Sequence, residues 1–176
     1  PLEEKGKLTA IFNRVIEKAK RHEYENIEGQ WSVGMFGTGF YTFESKTDRE
    51  DAQKFISLCI QIGVLEDDDE IFKIAEETLK DGIKGMQAAS ASIILHCLKP
   101  NIFPIINNAM IDAAVLLEGA GVILKRPDRL VTYIQNARKI KNFRADKCKF
   151  KNYRALDIKL WDIKELEKAG VSHSEP

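Results

Sequence analysis

The chain has 176 residues, with 27 Lys plus Arg against 27 Asp plus Glu, and 44% of its residues are hydrophobic. This composition excludes a disordered or collagen-like chain and favours one compact domain with a core of its own. A net charge of zero argues against a generic polyanion-binding tail, although a local patch of either sign is still allowed. The sequence therefore predicts a single domain over residues 1–176, whose charges must be examined segment by segment.

Cysteine and histidine residues are few and scattered. Cys59, Cys97 and Cys148 form no CxxC pair and have no histidine at ligand spacing, so we expect neither a metal site nor a cofactor. An odd number of cysteines is typical of a reducing compartment, which predicts a cytoplasmic location. Every apolar run ends well before about 18 residues, so we expect no membrane partner. The first residue is Pro1 rather than Met, which leaves open an excised domain of a larger protein.

Hydrophobic periodicity predicts two helices in the first third of the chain. Apolar residues at steps of three and four indicate an amphipathic helix over residues 2–25. A second pattern of this kind covers residues 48–62. It begins with a capping sequence at Thr47 and is expected to end at Gly63.

Between these helices, residues 29–43 combine closely spaced glycines with several aromatic residues. Because glycines at this density disfavour a regular helix, we expect an ordered loop or at most a small β-hairpin near residues 30–43. Exposed aromatic rings there would stack on a flipped or single-stranded base, and burial in the core is the alternative. The candidates for base stacking are Trp31, Phe36, Phe40 and Tyr41.

Residues 66–166 are predicted to be helical, with short breaks. An acidic start and an apolar stripe indicate a helix over residues 66–81, and a glycine turn at 82–85 precedes an Ala- and Ser-rich helix. Residues 103–106 are expected to form an extended bridge. Further helical patterns cover residues 107–117, 130–140 and 156–166. The sequence thus predicts a mainly α-helical fold, with N-terminal helices and a loop over 1–65 and a helical core over 66–166.

Charge is distributed unevenly along the chain. Residues 66–81 hold eight acidic residues against two lysines, whereas residues 125–159 hold twelve basic residues against three acidic ones. Aromatic residues are interleaved with these cations, and that combination is typical of nucleic-acid contact. In the alternative, the rings anchor the core and the lysines solvate the outer faces. The rings concerned are those of Tyr133, Phe143, Phe150 and Tyr153.

The glycine turn at residues 82–85 is a second candidate for binding. A glycine turn that opens a helix points backbone N–H groups outward, and such a nest binds phosphate. Lys84 would add a positive charge, with Gly85 and Gln87 beside it. The alternative is an ordinary interhelical turn with glycine in the left-handed region.

The order of glycine turn, small-residue helix and Phe-Pro-Ile bridge resembles the helix-hairpin-helix core of the base-excision DNA glycosylase superfamily. In that family the hairpin grips the DNA backbone, and an aspartate after the bridge assists cleavage of the glycosidic bond. This chain has Asn107 at that position, with Asp112 about one helical turn further on. Asparagine lacks the charge that stabilises an oxocarbenium-like centre. The resemblance therefore implies backbone binding, with base excision by Asn107 or Asp112 as an alternative.

Two further segments form a pair of motifs, Leu98-Lys-Pro-Asn-Ile-Phe-Pro-Ile-Ile-Asn107 and Leu156-Asp-Ile-Lys-Leu-Trp161. The region that holds them, about residues 82–163, resembles the helical region upstream of the motor in McrB-type AAA+ proteins of modified-DNA restriction systems. That resemblance implies DNA recognition here and an AAA+ motor in the same chain or a partner chain. The sequence itself contains no GxxxxGK(S/T) phosphate loop and no recognisable nuclease cluster.

The sequence leaves three functions open. The preferred one is a non-enzymatic module that binds duplex DNA. The alternatives are glycosylase-like base excision and a protein-interaction domain whose acidic helix docks a basic partner or the basic segment of another copy. For the preferred function, the predicted DNA contacts are Lys84, Gly85, Gln87, Arg126, Arg129, Arg138, Lys139, Lys141 and Arg144.

Overall fold

A computed structural model describes most of the chain, namely residues 6–23, 37–106, 117–118, 121–126 and 129–147 and the single positions Tyr153, Leu156, Lys159 and Asp162. Within these residues there are six continuous helices and no strand. The helices are α1 (Lys7–Glu23), α2 (Gly37–Lys46), α3 (Arg49–Val64), α4 (Asp68–Leu79), α5 (Ala88–Leu98) and α6 (Leu130–Lys147). The predicted mainly α-helical fold is confirmed.

Aspartate side chains begin two of the helices. Asp48 accepts a hydrogen bond from the backbone N–H of Asp51 at 3.0 Å, and Asp67 accepts one from Glu70 at 2.8 Å. These caps satisfy N–H groups that have no partner inside the helix. The predicted helices are confirmed here, with ends that move by one or two residues. In particular, α3 continues one residue beyond Gly63, which was predicted to end it.

Residues 37–46 form helix α2, although the sequence predicted a loop or hairpin over residues 30–43. That prediction is wrong for residues 37–43, and residues 30–36 lie outside the described part of the chain. Gly37 and Gly39 fall in the first turn, where backbone N–H groups need no partner inside the helix. Each glycine lowers the stability of the helix by roughly 1 kcal/mol relative to alanine. Tertiary packing can offset a loss of this size.

An aromatic cluster supplies that packing. Phe43 of α2 is fully buried, and its ring centroid lies 5.9 Å from that of Phe12 and 6.1 Å from that of Phe55. Burying one such side chain contributes about 1.5–3 kcal/mol, and edge-to-face aromatic pairs add to it. The tertiary contacts of Phe43 thus outweigh the low helix propensity of the two glycines.

Helix α5 lies at the centre of the fold. It packs against α1, α2, α3 and α6, and every side chain from Ala88 to His96 except Ala89 is buried. A helix whose side chains are apolar or small on all sides is typical of a buried helix. The chain that leaves α5 stays inside, since Ile102, Phe103 and Ile106 are buried as well. Phe103 and Ile106 belong to the predicted bridge, which is non-helical over residues 103–106 as expected.

Candidate nucleic-acid interface

Two glycines shape the turn between α4 and α5. The N–H of Met86 donates to the carbonyl of Ile83 at 3.0 Å, and φ is +80° at Gly82 and +81° at Gly85. A Cβ on Gly85 would lie 3.0 Å from a side-chain atom of α2 and 3.1 Å from a backbone oxygen of α2. Gly85 is therefore required by both conformation and space. This is the geometry of an ordinary interhelical turn, which the sequence analysis gave as the alternative to a phosphate-binding nest.

Lys84 directs its polar groups toward the first turn of α3. Its backbone N–H donates to the Asp51 carboxylate at 2.8 Å, and its ammonium lies 3.9 Å from the Asp48 carboxylate. A phosphate in the predicted nest would have to displace Asp51 from this N–H. The Lys84 side chain is 64% exposed, so a contact through its ammonium stays a prediction. Gln87 is exposed and makes no capping hydrogen bond to α5.

The acidic helix α4 packs along the basic helix α6 of the same chain. The guanidinium of Arg138 lies 2.7 Å from the Asp69 carboxylate and 3.6 Å from that of Glu76, and it stacks 4.7 Å from the centroid of Phe72. Lys141 pairs with Asp68 at 2.5 Å. Two of the predicted DNA contacts are therefore paired with carboxylates inside the molecule.

This packing also bears on the interaction hypothesis. The acidic helix was predicted to dock a basic partner or the basic segment of another copy, and in the structure it faces the basic helix of its own chain. Exposed ion pairs of this kind contribute at most about 1 kcal/mol each. They nevertheless fix which cations are neutralised and which are left for a ligand.

Residues 122–126 form a non-helical segment beside α6, which we call the basic strap. The buried side chain of Asn136 holds it, because its amide donates to the carbonyl of Lys125 at 2.6 Å and accepts from the N–H of Lys125 at 3.2 Å. The ammonium of Lys139 donates to the carbonyl of Ile123 at 2.8 Å. The strap is thus fixed to α6 at two points along its backbone.

Side chains of the basic strap alternate between the core and solvent. Val122 and Leu124 pack against the core, whereas Ile123, Lys125 and Arg126 are exposed. Among the described residues, no carboxylate pairs with the four exposed basic side chains in and beside the strap. They are Lys125, Arg126, Arg129 and Lys139. Arg126, Arg129 and Lys139 were predicted as DNA contacts, whereas Lys125 and the role of Asn136 were not, because the pattern of a basic helix does not single them out.

The bridge between α5 and α6 is held by side chains rather than by a regular backbone ladder. Nδ1 of His96 lies 2.7 Å from the carbonyl of Phe103, and the hydroxyl of Tyr133 donates to that of Pro104 at 3.0 Å. Because a carbonyl only accepts, this nitrogen of His96 carries the proton. The N–H of Ile106 donates to the hydroxyl of Ser92 at 3.1 Å. Buried backbone groups outside helices need such partners.

Tyr153, three residues before the second motif, contacts the chain at the start of this bridge. The hydroxyl of Tyr153 donates to the carbonyl of Ile102 at 3.3 Å, and Leu156 is buried. Arg144, a predicted DNA contact, donates to the carbonyl of Asn101 at 2.9 Å and lies 4.4 Å from the centroid of the Tyr153 ring. Burial raises the pKa of the Tyr153 phenol, although Arg144 opposes the shift. The phenol is therefore a neutral donor.

Several predicted site residues lie outside the described part of the chain. They are Trp31 and Phe36, proposed for base stacking, and Asn107 and Asp112, proposed for base excision. Tyr41 and Phe40 belong to α2, but their side chains are outside the described part as well. Base stacking and base excision remain predictions.

No known protein family, no curated protein and no solved structure matches the chain. Over the described residues, no three side chains of His, Cys, Asp or Glu are grouped so that they could hold a metal ion. The helices in that part are also too short or too polar to cross a membrane.

Proposed function

We propose that the chain is a non-enzymatic DNA-binding module that contacts duplex phosphates through the basic strap and the adjoining part of α6. The supporting observation is that the basic side chains of residues 125–141 fall into two groups. Arg138 and Lys141 are paired with carboxylates of α4. The exposed group consists of Lys125, Arg126, Arg129 and Lys139.

The charge of the first group is neutralised by carboxylates of α4, which stay beside it because α4 is anchored in the core. Ile71, Phe72, Ala75 and Leu79 are each at most 2% exposed. Moving α4 away would expose these side chains at about 1.5–3 kcal/mol for each large one. Within this proposal, Arg138 and Lys141 are structural cations, and phosphate binding is assigned to the exposed group.

The exposed group is compact enough to follow one strand of phosphates. Arg126 and Arg129 are three residues apart, which limits their Cα atoms to about 10 Å. The Lys139 ammonium touches the strap at Ile123. The sequence places Asp128 between the arginines, so residues 125–129 carry three basic side chains and one acidic one. A net positive edge of this size fits a few phosphate contacts rather than a long basic groove.

The resemblance to the region upstream of McrB-type motors adds a partner to this proposal. Because the 176 residues contain no phosphate loop, nucleotide hydrolysis would belong to an AAA+ motor elsewhere in the protein or in a partner chain. The module would supply DNA contact, and the motor would supply movement.

The proposal is tested by duplex binding at 100 mM salt. The variant Arg126→Ala/Arg129→Ala removes two cations at the strap, and Arg14→Ala/Lys18→Ala removes two exposed cations from α1 as a matched control. Each phosphate contact contributes close to one decade of affinity at this salt concentration. We expect the strap variant to lose on the order of 10- to 100-fold in affinity and the α1 variant to bind as the wild type does.

Equal losses in the two variants would mean that only the overall charge matters, and the strap would then have no specific role. Wild-type affinity in the strap variant would contradict the proposal directly.

A further inference from the structure

The basic strap carries one large apolar side chain that is exposed to solvent. Ile123 is 62% exposed, although Val122 and Leu124 on either side of it pack against the core. The other exposed side chains of the strap, Lys125 and Arg126, are cations. Contact with phosphates explains these two cations. It does not explain an isoleucine whose apolar surface stays in water.

Ile123 is held at a fixed place on the surface. Its carbonyl accepts a hydrogen bond from the Lys139 ammonium at 2.8 Å, and the backbone of Lys125, two residues further on, is bonded to Asn136. The side chain of an isoleucine is itself restricted about χ1, because its β-carbon carries two heavy atoms. Since backbone and side chain have little freedom to lose, a ligand that binds Ile123 pays little conformational entropy.

The charge around Ile123 favours a polyanion as that ligand. Lys125 lies two residues away, which limits the distance between the Cα atoms to about 7 Å. The Lys139 ammonium touches the Ile123 carbonyl from the other side. The acidic residues closest in sequence, Glu118 and Asp128, are each five positions away. The immediate neighbours of Ile123 that carry charge are therefore cations.

Among polyanions, a DNA duplex fits a single apolar side chain better than a membrane does. Stable membrane attachment needs far more apolar surface, since even one myristoyl chain binds a bilayer only marginally. Proteins that bind the minor groove insert individual apolar side chains, isoleucine among them, between base steps. The minor groove is about 6 Å wide, so cations two or three residues from an inserted side chain lie close to the phosphates on its rims.

We propose that Ile123 is an apolar wedge that enters the minor groove of duplex DNA and bends it, while Lys125, Arg126 and Lys139 contact the phosphates on the rims. This inference rests on the proposed DNA binding and adds the groove and the DNA shape that the strap recognises. Wedges of this kind kink the duplex by about 20–90° toward the major groove. Because pyrimidine–purine steps such as TA are the most easily kinked, a duplex with such a step at the contact is the preferred ligand.

Bending is measured by energy transfer between dyes at the two ends of a duplex of about 24 base pairs. We expect the wild-type chain to increase the transfer efficiency when it binds, because a bend brings the two ends closer together. The increase should be larger on a duplex with a central TA step than on a duplex of the same composition without one.

Substitutions of Ile123 separate the wedge from the cations. Ile123→Ala keeps the backbone and the cations of the strap, so we expect about tenfold weaker binding with the wild-type salt slope, and no increase in energy transfer. Ile123→Leu supplies another side chain that is used as a wedge, and it should restore bending. Ile11→Ala makes the matched change on α1, where Ile11 is 42% exposed, and should bend DNA as the wild type does. All three variants should keep the wild-type melting temperature.

The outcomes distinguish a failure of the wedge from a failure of DNA binding. Salt-dependent duplex binding without bending, or equal bending by Ile123→Ala and the wild type, would overturn the wedge and leave phosphate binding in place. No duplex binding at all would overturn both.

Two further measurements test the groove and the class of ligand. Netropsin, a small molecule that fills the minor groove of A·T-rich DNA, should weaken binding to such a duplex, and unchanged affinity in its presence would overturn the proposal. Vesicles that contain phosphatidylserine should show no dependence on Ile123. Loss of vesicle binding in Ile123→Ala, with duplex affinity unchanged, would assign Ile123 to a membrane surface and overturn the wedge.

Discussion

Asn136 shows how one buried side chain positions a surface segment. Its amide group exchanges two hydrogen bonds with the backbone of Lys125, as a neighbouring strand would, although the described residues contain no strand. The side chain is 3% exposed, so water cannot replace these bonds without rearrangement. The position of the basic strap thus depends on a residue that carries no charge.

Replacing Asn136 tests this dependence. Asn136→Ala leaves the backbone groups of Lys125 without their partner and should lower the free energy of unfolding by about 1–3 kcal/mol. Gln135→Ala, an exposed neighbour on α6, should change it by less than about 0.5 kcal/mol. Urea denaturation of both variants measures the difference, and equal stabilities would show that the Asn136 contacts are not significant.

At the level of helices, α2 lies close to the turn before α5. This close approach explains why residue 85 is a glycine but does not explain Gly82. Gly82 and Gly85 have nearly the same φ, but a Cβ on Gly82 would meet nothing within 4 Å, whereas one on Gly85 would meet α2. A side chain at position 82 would therefore meet conformational strain alone, whereas one at position 85 would meet strain and steric exclusion together.

Alanine at these two positions provides the test. Gly82→Ala should destabilise the protein by about 1 kcal/mol through its positive φ alone. Gly85→Ala should cost at least twice as much, because the backbone carbonyl of Phe43 cannot move aside as a flexible side chain can. The measurement is again the free energy of unfolding in urea. A smaller loss for Gly85→Ala than for Gly82→Ala would show that α2 is not held against the turn.

The helices could be predicted where local periodicity and capping agree with packing. This holds for α3 and α4, whose aspartate caps at Asp48 and Asp67 are readable in the sequence. It fails for α2, because the contacts that stabilise it join Phe43 to Phe12 and Phe55 across long sequence separations. Local propensity carries no information about such contacts.

The sequence predicts which basic residues lie near the candidate site, but it does not predict which of them are exposed and which are paired with carboxylates. The excess of basic residues in the C-terminal third is visible in the sequence, and so are Arg126, Arg129 and Lys139. Which cations are neutralised depends on α4 packing against α6, and the spacing of charges along the chain does not determine that. Arg138 and Lys141 could not be separated from the exposed group without the fold.

Over the whole molecule, packing determines which of the balanced charges neutralise each other and which stay exposed. Carboxylates of α4 pair with cations of α6, and a basic edge stays exposed at the strap. A neutral total therefore coexists with a surface suited to phosphate.

The most direct test of the DNA-binding proposal is the salt dependence of duplex affinity between 50 and 200 mM. Four phosphate contacts predict a slope of log K against log salt of about −3.6, which is a loss on the order of 100-fold over this range. The variant Arg126→Ala/Arg129→Ala should reduce the slope to about −1.8, whereas Arg138→Gln/Lys141→Gln should leave it at the wild-type value. A slope near zero for the wild type, or a reduction in the second variant and not in the first, would contradict phosphate binding by the basic strap.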